Sequence, residues 1–261
     1  MPKVFQFWEG PIPAYIRLCL ETVERRYDPK ERVLLSKANL EEWCPTCDRL
    51  LREDPWFAAL HYPHLSDFVR VEAVMRHGGA WLDADFVMLR RLDLLWRTVE
   101  DRKCFMYLHD EWGPTNGFFM SKVGGFTVCQ WWEMMHAVRR NLERNGVTSP
   151  GWTVFGNEQL RALQPVSLEP WVDAGRAHLM PVPWSQASRF FRERTASFNP
   201  RDDVWPAAFG YMLFNNTFPS WIKQAEVTRD QLLESKTMLG CLFRVALGLE
   251  GEKHVVSAGA L

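Results

Sequence analysis

Two carboxylates one residue apart, Asp83 and Asp85, follow the short apolar run Ala80-Trp81-Leu82, with Gly78-Gly79 just before it. Hard divalent cations such as Mg²⁺ and Mn²⁺ take oxygen ligands and favour anionic ones, so an Asp-x-Asp pair at the end of a buried strand predicts a metal site. Side chains alternate along an extended chain, which predicts that both carboxylates share one face with only the small Ala84 between them. Upstream, Phe68, Val71, Val74 and Met75 have helical spacing as far as His77, and Ser66 or Asp67 stands where a helix cap would. Asp67 and Arg70 lie three apart and project from one side of that first turn. They read either as working groups or as a cap with a surface ion pair.

The elements that must hold these groups are legible around them. Val4 to Trp8 reads as a first strand, stopped by Glu9-Gly10-Pro11-Ile12-Pro13. Ala14 to Arg26 carries Ile16, Leu20 and Val23 at helical spacing, and Val33-Leu34-Leu35 reads as a second strand. This βαβ opening predicts an α/β domain of nucleotide-binding type, with ligands collected at the carboxyl end of the first strand. Cys104 to Leu108 and Asn116 to Met120 read as further strands. Phe126 to Asn145 reads as a long helix with Trp132, Met135 and Val138 on one face and Arg139-Arg140 on a solvated one. Ser149 to Leu160 reads as a loop entering a helix, with Glu158 either a first-turn acid or a group near the acceptor. Trp184 to Trp205 is irregular and carries Arg189, Arg192, Arg194 and Arg201, as a loop bordering a site does. Gln231 to Leu249 reads as one closing amphipathic helix, followed by a frayed Gly/Ala tail.

Composition narrows the class. The 261 residues, 47% hydrophobic and 24% charged, predict one globular domain over 1–261 with a helical closing element at about 225–250. A net charge of -1 gives no global attraction to nucleic acid or an anionic membrane. The 13 Trp and 17 Phe fill core or offer stacking faces. The N-terminus lacks the pattern of a signal peptide and no run of 18 apolar residues occurs, so no transmembrane segment is expected. The expectation is a cytoplasmic protein with reduced cysteines, peripheral membrane contact and oligomeric state being left open. Cys44 and Cys47 with His61 and His64 have the ligand types of a zinc site, but His-x-x-His is tighter than the usual spacing, and packed thiols are the favoured reading.

Ser66-Asp67-x-x-Arg70, Gly78-Gly79, the aromatic Trp81, Asp83-x-Asp85 and Leu92-Asp93, in this order, resemble the glycosyltransferases of the GT-A fold. The nearest relatives are the family 32 and capsular-polysaccharide-synthesis sugar transferases, with the clostridial glucosylating toxins as more distant kin. Phe7-Trp8-Glu9-Gly10 is similar to the Ile-Trp-x-Gly that opens such enzymes, and Asn215-Asn216 with Ser220-Trp221 to their closing element. The resemblance implies a Rossmann-like fold with a mixed, mostly parallel central sheet flanked by helices. It implies a metal-dependent hexosyltransferase moving a sugar from a UDP- or GDP-sugar to a hydroxyl acceptor on a glycan, polysaccharide or glycoconjugate, with retention of configuration. Asp67 and Arg70 would hold sugar hydroxyls, while Asn116 and Ser220-Trp221 would contact the donor. Trp8 would stack on the base or else fill core. Asn116 reads equally as a turn residue before Gly117.

Departing diphosphate builds negative charge that a carboxylate-held Mn²⁺ or Mg²⁺ neutralises. Asp85 is the first-choice ligand, with Asp83 binding through water or reaching the ribose and sugar, and Asn216 the third and weakest ligand. This sequence departs from the family in two places. Trp81 replaces the usual Tyr, which predicts loss of any hydroxyl contact there, and Phe214-Asn215-Asn216-Thr217 stands where many relatives carry a His. Two other readings compete. Asp83 and Asp85 also resemble the nucleophile motif of haloacid-dehalogenase phosphatases, with Arg201-Asp202-Asp203 as a distal acidic pair. The remaining alternative is an inactive sugar-binding module.

Overall fold

Val4, Phe5 and Phe7, with Gln6 between them, form β1 (Val4–Phe7), every side chain of which is buried. In the computed structural model, which describes residues 2–193 and 207–249, α1 (Ala14–Glu24) and β2 (Arg32–Leu35) follow. Three short helices, α2 (Leu40–Trp43), α3 (Pro45–Glu53) and α4 (Pro55–Ala58), lead to α5 (Tyr62–His77). Then come β3 (Gly79–Leu82), β4 (Phe86–Met88), α6 (Asp93–Arg102), β5 (Phe105–Asp110), β6 (Gly113–Ser121), α7 (Phe126–Arg144) and α8 (Asn157–Leu163). The described chain closes with β7 (Trp171–Asp173), α9 (Arg176–Leu179), β8 (Gly210–Met212), α10 (Arg229–Glu234) and α11 (Met238–Ala246). The chain packs as two units, one of residues 1–10, 30–83 and 93–174, the other of 11–29, 84–92 and 175–261.

The first unit holds a six-stranded sheet in the order β2-β1-β3-β6-β5-β7. β1 runs parallel to β2 and β3 and β5 parallel to β7, while β6 is antiparallel to β3 and β5. This is the mixed, mostly parallel sheet expected. Its core includes Phe5, Phe68, Val71 and Trp81 with Phe119, Trp131 and Met135, so α5 and α7 turn their apolar stripes to the strands. Gly78 ends α5 at φ +64, its N–H donating to the Val74 carbonyl at 2.9 Å, the left-handed stop that glycine adopts without strain. Gly79 has φ +112, and a Cβ there would run into the backbone of Lys3. The pair therefore turns the chain tightly from helix into a strand beside β1.

The second unit pairs β4 antiparallel with β8, Phe86 opposite Met212. Thr228 and Gln231 form a capping box at the start of α10, and Thr237 caps α11 by accepting from Gly240 N–H.

Several expectations need correction. The helix before Gly78 begins at Tyr62, with Pro63 in its first turn, so Ser66 and Asp67 lie inside it and cap nothing. Asp83 and Asp85 do not follow from alternation along one strand. β3 ends at Leu82, Ala84 and Asp85 form a turn, and β4 begins at Phe86. The closing helix is two helices, because Ser235-Lys236-Thr237 breaks it and Thr237 restarts it. Arg139 is mostly buried and paired with Asp54 and, at 3.6 Å, Glu143, rather than solvated. Trp184–Phe191 forms 3-10 turns kinked at Gln186. Arg194, Arg201 to Asp203, Trp205 and the C-terminal tail lie outside the described residues.

All six cysteines are free thiols. Cys44 donates to the Val69 carbonyl at 3.6 Å, Cys47 is fully buried, and a ring nitrogen of His64 bonds the Gly151 carbonyl at 3.1 Å. Burial foremost, then the Glu72 carboxylate, pushes both thiols up. Among the described residues no helix is long and apolar enough to cross a membrane.

Candidate functional site

Asp67 and Arg70 sit one turn apart on the inner face of α5, each nearly buried, and β3 brings Asp83 to the same guanidinium. Every nitrogen of Arg70 meets a protein oxygen. Nε donates to the Ser66 carbonyl at 3.2 Å, Nη1 to the Asn116 carbonyl at 2.6 Å, and Nη2 to Ser66 Oγ at 3.1 Å. Asp67 Oδ1 lies 3.4 Å from Nη2 and Asp83 Oδ1 3.3 Å from Nη1. The planar fork thus ties the helix to two strands, which a single ammonium point charge could not do.

Asn116, on β6, is a working member of this network. Its Nδ2 donates to Asp67 Oδ1 at 2.6 Å, and its backbone N–H donates to Asn157 Oδ1 at 3.0 Å. Gly156 is required beside it, since a Cβ there would collide with the Asn116 side chain. Neither Asn157 nor Gly156 belongs to a motif in the sequence that marks it.

Trp81 replaces the expected Tyr yet does not lose a donor, for its indole Nε1–H donates to Asp83 Oδ1 at 2.9 Å. Both Asp67 and Asp83 therefore commit Oδ1 to protein partners. Oδ2 of each has no hydrogen bond among the described residues, and the Asp83 side chain is 32% exposed.

Burial raises the Asp67 carboxyl to about 7 and Asp83 adds to the rise; Arg70 and the Asn116 hydrogen bond oppose it. Because the folded state holds this proton more tightly than the unfolded chain, its stabilising effect is complete at acid pH and is lost as pH rises through about 7. Asp67→Asn should remove that slope. Urea unfolding at pH 5 and pH 8 should show the wild type losing on the order of 1 kcal/mol or more relative to the variant, with His64 and His136, whose pKa values burial lowers, acting equally on both proteins. Equal slopes would remove Asp67 as the titrating group.

In the second unit, Asp85 is buried and its Oδ2 accepts from Asn215 N–H at 2.5 Å, while its carbonyl accepts from Leu213 N–H at 3.1 Å. Tyr15 donates its hydroxyl to Asn215 Oδ1. Burial first and the Asp85 charge second push the Tyr15 hydroxyl and the Cys19 thiol up. Phe214, just before, holds the left-handed conformation at φ +62, a strain that bulky residues keep only where the surroundings enforce it. Asn216 is exposed and makes no hydrogen bond to a described residue; its neighbour Asn215 makes the contacts. Ser220 opens a 3-10 turn, and the Trp221 ring is half exposed, 5.7 Å from that of Phe191. Back in the first unit, Trp8 is partly buried just past β1, its backbone N–H donating to the Leu35 carbonyl at 3.0 Å. Glu158 is exposed in the first turn of α8 and accepts from the Thr153 hydroxyl.

A family model described as capsular polysaccharide synthesis protein matches residues 2–138. The chain belongs to the capsular polysaccharide synthesis protein family. The matched segment contains Trp8, Asp67, Arg70, Asp83, Asp85 and Asn116, whereas Asn216, Ser220 and Trp221 lie beyond it. Glycosyltransferase afumC of Aspergillus fumigatus (strain CBS 144.89 / FGSC A1163 / CEA10) is 25% identical over 158 residues. That match covers 52% of this chain and 40% of the relative. Among solved structures, PaToxG glycosyltransferase aligns at 15% identity and TM-score 0.41, over 63% of this chain and 69% of its own. The UDP-bound glycosyltransferase domain from the YGT toxin aligns at 9% identity and TM-score 0.40, over 64% and 68%. An active-site mutant of LgtC aligns at 13% identity and TM-score 0.43, over 81% and 87%.

Proposed function

We propose that this chain is a GT-A glycosyltransferase that moves a sugar from a nucleotide-sugar donor to a hydroxyl acceptor, with retention of configuration. The observation that carries this reading is the buried Asp67-Arg70-Asn116 network, which holds the Asp83 carboxylate with one oxygen uncommitted. It lies within the matched family segment. Membership of that family and the partial likeness to a glycosyltransferase support the reaction class.

In this reading, Asp67 and Asp83 present their Oδ2 atoms to the hydroxyls of the donor sugar and ribose. Charged acceptors make the stronger hydrogen bonds, and Arg70 fixes both carboxylates before the donor arrives. Asn116 holds Asp67 in register, and Trp8, Ser220 and Trp221 contact the donor, Trp8 as a stacking face for the base.

Asp85 is the proposed metal ligand, with Asn216 as a weak further one and Asp83 reaching the ion through water. Among the described residues no three His, Cys, Asp or Glu side chains cluster as a cage. Mg²⁺ and Mn²⁺ commonly use one or two carboxylates, waters and substrate phosphates. Such an ion, when bound, supplies Lewis-acid neutralisation of the departing diphosphate.

Thermal shift with a panel of UDP- and GDP-sugars tests the reading, because a ligand bound to the native state raises its apparent stability. Stabilisation by one donor class with Mn²⁺, and not by its free sugar, is expected. A melting temperature unmoved by every nucleotide sugar would contradict it.

A further inference from the structure

We propose that Trp81 is a positioning residue for the donor site, its indole N–H turning the Asp83 carboxylate so that Oδ2 faces the ligand. The proposal rests on the glycosyltransferase reading above. Trp81 is fully buried on β3, and Asp83 follows just after the strand ends. Indole nitrogen donates and never accepts, so its only use for a carboxylate is to hold one oxygen. That oxygen is Oδ1, at 2.9 Å. Arg70 Nη1 lies 3.3 Å from the same atom, and the guanidinium stands over the Trp81 ring, 5.1 Å from its centroid.

The backbone of Asp83 is pinned as well. Its N–H donates to the Gly117 carbonyl at 3.0 Å, and its carbonyl accepts from Gln6 Nε2 at 3.4 Å. With the main chain fixed, the remaining freedom of Asp83 is side-chain rotation, which for a terminal carboxylate torsion is broad. The Trp81 donor on Oδ1 and the Arg70 charge beside it restrict it. Any ligand then meets Oδ2, already oriented, and is spared the entropy of ordering that side chain. Ring packing alone would need an aromatic at this position, but not one whose N–H reaches a partly exposed carboxylate.

The test is a double-mutant cycle in ligand affinity. Calorimetric Kd values for UDP and for GDP, each with Mn²⁺, are measured in wild type, Trp81→Phe, Asp83→Asn and the double variant. Phe keeps the aromatic face and removes the donor. A hydrogen bond to a charged group is strong enough that its loss should weaken binding roughly tenfold in the wild-type background. In the Asp83→Asn background the same change should alter Kd by less than about twofold, since Trp81 acts through Asp83. Equal loss in both backgrounds, or unchanged binding by Trp81→Phe, overturns the proposal while Asp83→Asn still weakens binding. If the wild type binds neither diphosphate, the glycosyltransferase reading fails first and this proposal with it.

A second measurement needs no variant at Trp81. With ¹⁵N in the indoles of the 13 tryptophans, one Nε1–H resonance should move far more than the rest between wild type and Asp83→Asn. A spectrum with no such outlier overturns the proposal even if Trp81→Phe cannot be folded.

Discussion

Replacing Arg70 with Met should lower unfolding stability by about 3–5 kcal/mol, the loss typical of breaking a buried ion pair from one side. The substitution leaves Asp67 buried without its cation and removes the donor from the Asn116 carbonyl and from both Ser66 acceptors. At roughly 2–4 °C per kcal/mol for a chain of this size, the melting temperature should fall by on the order of 10 °C. Arg70→Lys should recover little of this, because one ammonium cannot meet the five oxygens now met by the fork. Well above neutral pH, adding Asp67→Asn to Arg70→Met should restore part of the stability, since no buried carboxylate charge is then left unpaired. Calorimetric melting of the four proteins checks the series. An Arg70→Met variant that melts within a degree of the wild type would show the network to be an incidental arrangement.

The second large effect belongs to Asp85. Asn in its place keeps the volume and an oxygen able to accept from Asn215 N–H, so the fold around that turn should survive. What is lost is the negative charge that a hard cation requires. If the metal contributes several kcal/mol of charge stabilisation, turnover of the nucleotide sugar should fall about 10²–10⁴-fold. Near-normal turnover in Asp85→Asn would sink the metal assignment and leave Asp83 as the only candidate carboxylate of the pair.

Much of this arrangement is legible before any coordinates. β1, α1 and the helix-Gly-Gly-strand unit follow from periodicity, because each buries a full apolar face, and β2, of which only Leu35 is buried, follows from its apolar run. The partners of Asp67 and Arg70 are less legible. Three-residue spacing gives their pairing, but that the pair is buried depends on β6 bringing Asn116 beside it, a contact across 46 positions of sequence from Arg70. The capping assignment of Ser66 or Asp67 failed because Pro63 already marks an earlier helix start, and a proline in the first turn is the stronger signal. Strand alternation misled at Asp83 and Asp85 because it holds only while the chain stays extended, and β3 stops at Leu82. The division of the closing helix was written in Thr228-x-x-Gln231 and Thr237, two local caps that outweigh a continuous apolar pattern. Substituting Trp for Tyr at position 81 suggested a lost contact. An indole carries its own donor, and only the distance to Asp83 reveals its use.

Release of nucleoside diphosphate from a UDP- or GDP-sugar by the purified chain, with and without Mn²⁺, decides whether the chain is a metal-dependent sugar transferase. Metal-dependent release, abolished by chelation and by Asp85→Asn, is the predicted result. Release of inorganic phosphate from a phosphomonoester, with every nucleotide sugar left intact, would contradict the account and favour phosphatase chemistry at Asp83 and Asp85.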